Sequence, residues 1–198
     1  TGFALFSLLP LFGMVFSALK VEGRGLELVF LPDGAWSEMY TLKNFTQVLF
    51  NQSFPFFRFF INSIIVALSA AILSTGMCLF AAYAFARKNF PGKSVLFGLL
   101  LASMMVPGMI FMVPQFAIIS ELNWMNSWFG LVIPHTANVF GLYMMRQAIE
   151  KIPRSLFEAV QVDGANDFQV LRIVVLPLVM PIVMTLILLT FISQWSNF

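Results

Sequence analysis

Few residues of this chain carry groups that do chemistry, and their placement restricts what that chemistry is. The sequence holds one histidine, one cysteine and nine carboxylates. All nine acids (Glu22, Glu27, Asp33, Glu38, Glu121, Glu150, Glu158, Asp163 and Asp167) fall outside the long apolar runs. No carboxylate pair is therefore set within those runs for acid–base work or proton coupling. No His/Asp/Glu cluster has metal-ligand spacing, and no Ser/His/Asp set sits at a common depth. A Gly-rich phosphate loop of the Walker type is also absent, so the chain does not itself hydrolyse ATP. It reads as a non-enzyme. Cys78 lies inside an apolar run, which leaves neither a disulfide framework nor a thiolate metal site within the chain. His135, next to Pro134, is the only histidine and lies within the fourth such run. That makes it a functional candidate by default, although a neutral histidine bonded to a neighbouring helix explains it as well.

The informative spacing is in residues 153–177, where charges and apolar side chains alternate between two hydrophobic segments. Pro153 suits a first helical turn, where its missing N–H is not needed. Ser155 and Glu158 have the Ser-x-x-Glu spacing of a capping box. The helix they predict, over about 155–163, stops at Gly164, the residue best suited to a left-handed C-terminal cap. Asn166 and Gln169 repeat the capping spacing and predict a second helix running into the next apolar segment. The stretch is a helix, a glycine turn and a helix.

The rest of the chain consists of the elements that must hold this stretch. With 60% hydrophobic and 10% charged residues and a mean hydropathy of +0.89, it lacks the polar surface of a water-soluble globule. A net charge of +2 is small and gives no indication of a nucleic-acid partner. Five apolar segments follow, at about 2–19, 59–85, 94–119, 128–146 and 174–198, each near the ~20 residues that cross a bilayer as helix. Helix is required because lipid offers the backbone no partner. The side holding loops 86–93 and 147–173 carries Arg87, Lys88, Lys93, Arg146 at the end of its span, Lys151, Arg154 and Arg172, which places it in the cytoplasm. Region 20–58 is then an outside loop, with a turn at 31–34, Trp36 and Tyr40 at the interface, and an aromatic belt at 54–60. Small residues in 61–85 (Ser63, Ala67, Ser69, Ala70, Ala71, Ser74, Gly76, Ala81, Ala82, Ala84) predict a span packed in the bundle interior. The apolar start without a basic leader reads as most of a first span rather than a signal peptide. Both ends read as cut.

Glu158-Ala159-Val160, three residues, Gly164, nine residues, then Val174-x-Leu176-Pro177 resembles the EAA loop of ABC-importer permeases, with Val160 for the second alanine and Val174 for the isoleucine. Asn62-Ser63, 81–87, Phe90-Pro91-Gly92-Lys93, Pro107, Pro114, Arg146-Gln147, Ile152-Pro153, Asp163-Gly164-Ala165 and 195–198 resemble the carbohydrate-uptake branch, as in the second permease subunit of the maltose importer. The resemblance implies an all-α polytopic membrane protein of the type I importer permease fold. It would form a single permease domain over 1–198, with five spans here and six in the full protein. It also implies an inner-membrane chain that pairs with a homologous permease as a heterodimer. Two cytoplasmic ATPases holding ATP and Mg²⁺ and an extracytoplasmic solute-binding protein complete the assembly. This chain binds no cofactor or metal. Leu156, Phe157, Glu158, Ala159, Val160, Asp163, Gly164 and Ala165 would then form the ATPase-coupling helix and its turn, with Leu156, Phe157, Ala159 and Val160 as its apolar contact surface and Arg154, Glu158 and Asp163 as its charges. Glu158 either pairs with a basic residue of the ATPase or caps its own helix. The expected cargo is a sugar or related polyhydroxylated solute. Asn62, Gln115, His135 and Asn138 are candidate pathway residues, and hydrogen bonding between helices accounts for them equally. The alternative function is a secondary transporter driven by an ion gradient.

Overall fold

The computed structural model describes residues 2–21, 40–51 and 54–197. The predicted turn at 31–34 and Trp36 lie outside these residues. The described chain is helical, with one isolated antiparallel bridge, Lys20 to Tyr40, and no strand among the described residues. It divides into two compact units, Thr1–Asn62 and Ser63–Phe198.

The first unit contains α1 (Gly2–Leu19) and the amphipathic α2 (Lys43–Phe50), tied by the Asn44 amide, which donates to the carbonyls of Ala18 (2.9 Å) and Lys20 (2.7 Å). The second unit holds most of α3 (Phe56–Arg87), a 32-residue helix. Its buried residues come in pairs every four positions: Val66 and Ala67, Ala70 and Ala71, Ser74 and Thr75, Cys78 and Leu79, Ala82 and Tyr83. This is a stripe of mostly small side chains against which other helices close, as expected for association in lipid. The large residues Ile72, Leu73, Met77 and Phe80 are exposed on the remaining surface.

A tight turn with Gly92 at φ +76° leads into α4 (Lys93–Ser103). The third predicted span is not one straight helix. After Ser103 the chain breaks, and it resumes as a 3-10 turn (Gly108–Phe111) and α5 (Met112–Glu121), bent by 96° from α4. Pro107 is the cause. It lacks the N–H that would continue α4, it biases Val106 toward extended backbone, and it adopts ψ 130° itself. The fourth predicted span is likewise interrupted. It comprises α6 (Trp128–Val132), a 3-10 turn carrying Pro134 (Ile133–His135), and α7 (Val139–Glu150). Asn138 restarts the helix by capping it, its Oδ1 accepting the Gly141 N–H at 2.8 Å.

Two elements follow: the short α8 (Arg154–Val162) and α9 (Asp167–Trp195), 29 residues long. Within α9, Leu171–Val175 widens to π geometry. Pro177 follows, without the N–H that would close on Ile173 and with a ring that crowds its carbonyl. Among the described residues two helices, α3 and α9, are long and apolar enough to cross a membrane, and the bent α4–α5 pair makes up to three. The main core joins α3, α4, α7, α8 and α9 through Leu79, Phe85, Phe97, Met145, Ile149, Phe157, Val170 and Val175. Where α7 meets α3 the approach is close: a Cβ on Gly141 would lie 3.0 Å from Cys78 Sγ.

Candidate functional site

The helix–turn–helix forms, and local chemistry closes its turn. Gly164 has φ +81°. The Gly164 N–H donates to Gln161 O at 3.0 Å and the Ala165 N–H to Val160 O at 3.1 Å. These are the two bonds of a Schellman cap, and Val160 and Ala165 both pack on the core beneath it. Two residues on, Asn166 and Gln169 make the predicted reciprocal capping box, at 2.9 and 2.8 Å. A helix cap and a helix start thus share a four-residue turn in which the Gly164, Ala165, Asn166 and Gln169 N–H groups are satisfied, which makes α8 and the start of α9 a stiff unit.

The other predicted capping box does not form. The helix starts at Arg154, with Pro153 as its N-cap at ψ 138°, and no side chain caps it. Ser155 is therefore already inside the helix with helical backbone and cannot take the cap position. Glu158 caps nothing and is exposed. It lines a polar cavity of about 380 Å³ together with Tyr83, Arg87, Lys88, Lys93 and Arg154.

The two faces of α8 differ. Phe157 is 6% exposed and belongs to the core, so it is not part of an outward contact surface as the sequence suggested. Its ring lies under the guanidinium of Arg87, with Cζ 3.9 Å from the centroid. On the outward face Leu156, Glu158, Ala159 and Asp163 are exposed, and Val162, which sequence reasoning did not single out, is 87% exposed.

What anchors the inward face is the end of α3. Arg87 Nη2 donates to Ile149 O at 2.7 Å and also to Ile152 O, the carbonyls that close α7. One guanidinium therefore holds the end of α7 and the aromatic ring of α8. The adjacent Lys88 donates to Asp167 Oδ1 at 2.6 Å, and Tyr83 Oη donates to the same oxygen at 3.2 Å. Both partners of that ion pair are about half exposed, so it contributes little energy and chiefly sets register. The Lys88 ammonium holds the Asp167 carboxyl below its ordinary value of 3.8. Three elements distant in sequence thus converge on one helix end. Arg87 and Lys88 read from sequence only as loop charges that set sidedness. Pairings across some seventy residues leave no local signal.

The candidate pathway residues separate. His135 and Asn138 share a cavity of about 510 Å³ with Phe140, Thr190, Ser193 and Gln194. Gln115 sits on α5 away from its lining, and Asn62 belongs to the first unit. Asn138 has a local duty as helix cap, and its carbonyl accepts from Cys78 Sγ at 3.2 Å. Gln194 is 5% exposed, and its Oε1 has no hydrogen-bond partner among the described residues. Sequence reasoning missed it, though an amide within an apolar helix, following Thr190 and Ser193 at helical spacing, was the available signal.

Residues 74–198 match the family model described as binding-protein-dependent transport system inner membrane component. The chain is 35% identical to a probable ABC transporter permease of Pyrococcus horikoshii over 80% of this chain and 58% of that protein. To the sulfoquinovosyl glycerol transport system permease SmoH of Agrobacterium fabrum it is 34% identical, over 96% of this chain and 66% of that one. It thus spans 58% and 66% of the lengths of these two relatives. Among solved structures it matches a bacterial ABC transporter involved in the import of the acidic polysaccharide alginate. The TM-score is 0.84 at 27% identity, covering 98% of this chain and 67% of that one.

Proposed function

Because the chain belongs to the binding-protein-dependent transport system inner membrane component family, we propose that it is the transmembrane permease of an ATP-driven, binding-protein-dependent importer. Its cargo is a sugar or related polyhydroxylated solute. The helix α8 is the coupling element, with Leu156, Glu158, Ala159, Val162 and Asp163 facing a cytoplasmic ATPase, while Gly164 and Ala165 fix the angle at which it is presented. Phe157 and Val160 face the other way and join α8 to the membrane helices.

The observation that carries this reading is the asymmetry of α8. One side is locked to Arg87 through Phe157 and leads on to the end of α7. The other side leaves an apolar stripe free. Membrane helices do not sense ATP; they are moved only by a rigid part that extends out of the bilayer. A force on α8 reaches α3 and α7 through Arg87 and enters α9 through the capped turn. The ATPases supply ATP, Mg²⁺ and hydrolysis, a homologous permease completes the pore as a heterodimer, and the solute-binding protein delivers cargo from outside the inner membrane. The cavity lined by His135, Asn138 and Gln194 is this chain's share of the pathway, where the Gln194 amide serves solute hydroxyls as donor and acceptor. Names such as the sulfoquinovosyl glycerol permease among the relatives support a hydroxyl-rich cargo.

The test is a pull-down from detergent-solubilised membranes with the full-length protein, after insertion of each variant has been verified. The native protein is expected to retrieve an ATPase, and Gly164→Pro to lose it. Loss with Glu158→Arg as well assigns that carboxylate to the subunit contact. Inserted native protein that retrieves no ATPase overturns the proposal.

A further inference from the structure

A polar cavity lies between the end of α3 and α8, and Glu158, at the edge of the outward face, borders it. Arg87, Lys88, Lys93 and Arg154 line it, against one carboxylate, Glu158. Much of this charge is already directed. Lys88 is bonded to Asp167, Lys93 Nζ donates to Lys88 O at 2.9 Å, and Arg87 Nη2 is held by two carbonyls. Arg87 Nε is nonetheless buried without a hydrogen-bond partner among the described residues, and Arg154 has no ion pair among them. Cations concentrated in a concave polar site, with a buried N–H to spare, describe a receptor for an oxyanion.

Depth identifies the anion's source. The aromatic run at 54–60 begins α3, and about 20 residues of helix cross the hydrocarbon. Counting from Phe60 brings the chain to the far side of the apolar layer at about Ala81, so Tyr83, Arg87 and Lys88 fall in the headgroup zone. Basic pockets between helices at this level recognise anionic lipid headgroups. Glu158 on the rim disfavours a dianion and favours the single charge of a phosphodiester.

We propose that this cavity binds the phosphodiester of an anionic phospholipid, which bridges Arg154 on α8 to Lys93 and Arg87 beside the end of α3. The inference rests on the membrane-protein reading and does not need the identity of the cargo. A bound phosphodiester pins the basic side of α8 to α3, so the coupling helix stands firmest in an anionic leaflet.

The experiment uses the full-length protein with its partner subunits in nanodiscs of phosphatidylcholine containing increasing phosphatidylglycerol. Native mass spectrometry reads retained lipid, and a parallel arm adds inorganic phosphate. The wild type is expected to retain phosphatidylglycerol saturably, with the Lys93→Gln/Arg154→Gln double variant weakened roughly tenfold or more and Arg154→Lys close to wild type. Saturable binding of inorganic phosphate with no preference between the two lipids keeps the anion site and assigns it to a free phosphate. Equal retention by wild type and double variant, with neither probe distinguishing them, overturns it. ATPase retrieval in the same preparations reports separately on the permease reading: a wild type that retrieves the ATPase without preferring either probe fails this inference alone.

Discussion

Replacing Arg87 with alanine is expected to release α8 from the membrane helices without unfolding them. The side chain donates two charge-assisted bonds to the carbonyls of Ile149 and Ile152 and sits over the Phe157 ring at 3.9 Å. Bonds from a charged donor contribute about 1.5–3 kcal/mol each when desolvated, and a cation–π contact about 1 kcal/mol. Arg87 is only half-buried and water reaches the freed carbonyls in part, which brings the loss below the roughly 4 kcal/mol that the low ends sum to. The loss is roughly 2–3 kcal/mol, which raises local opening of α8 by about 30- to 150-fold. Hydrogen exchange of the full-length protein in detergent or nanodiscs reads this directly on the amides of residues 154–162. Those amides should exchange faster by that factor, while the middle of α3 keeps its protection. Arg87→Lys should fall between the two, because an ammonium reaches a carbonyl but cannot serve two carbonyls and a ring at once. A double-mutant cycle with Phe157→Leu should give about 1 kcal/mol of coupling. Exchange at 154–162 within threefold of wild type in Arg87→Ala would refute the anchoring argument.

Four further outcomes follow from the same geometry. Gly164→Ala meets nothing within 4 Å but must hold φ +81°, so it should cost about 1 kcal/mol. Gly130→Ala sets its Cβ 2.5 Å from Trp124 O and should lower the melting temperature more than Gly164→Ala. Val162→Asp, at an 87% exposed position, should leave the melting temperature unchanged and abolish ATPase retrieval. The Lys88–Asp167 pair depresses the Asp167 pKa below 3.8. Its contribution is therefore complete at neutral pH and is lost only as pH falls through that lowered value. Exchange protection at the start of α9 should be flat from pH 5 to 8 after correction for intrinsic rates, and Asp167→Asn should change it only slightly.

Local chemistry was what the sequence displayed best. Gly164 and the Asn166/Gln169 box were legible because a cap is determined within half a dozen residues. The same reasoning failed at Ser155, where the helix takes Pro153 as its N-cap, two residues earlier than the capping pattern requires. Hydropathy found the apolar segments but not their continuity, since Pro107 and Pro134 break the third and fourth without lowering their apolar content. Phe157 looked like part of an outward surface because an amphipathic nine-residue helix has two plausible apolar stripes. Only the ring's position under Arg87 decides which one turns inward. The long-range partners of Arg87, Lys88 and Gln194 had no local pattern to reveal them.

The ion pair between Lys88 and Asp167 contributes little energy, yet it constrains connectivity. Two residues whose charged atoms lie 2.6 Å apart stand on the same side of a membrane. The chain leaves one and returns to the other through α4, α5, α6 and α7, so it traverses the bilayer an even number of times between them. The sharp bend between α4 and α5 therefore cannot send the chain back out of the side it entered unless α6 and α7 together also fail to cross. With α7 returning its last carbonyls to Arg87, the bent pair and the interrupted pair stand or fall together as one outward and one inward passage. A labelling experiment that fixes the sidedness of the turn at 122–127 would count both passages at once.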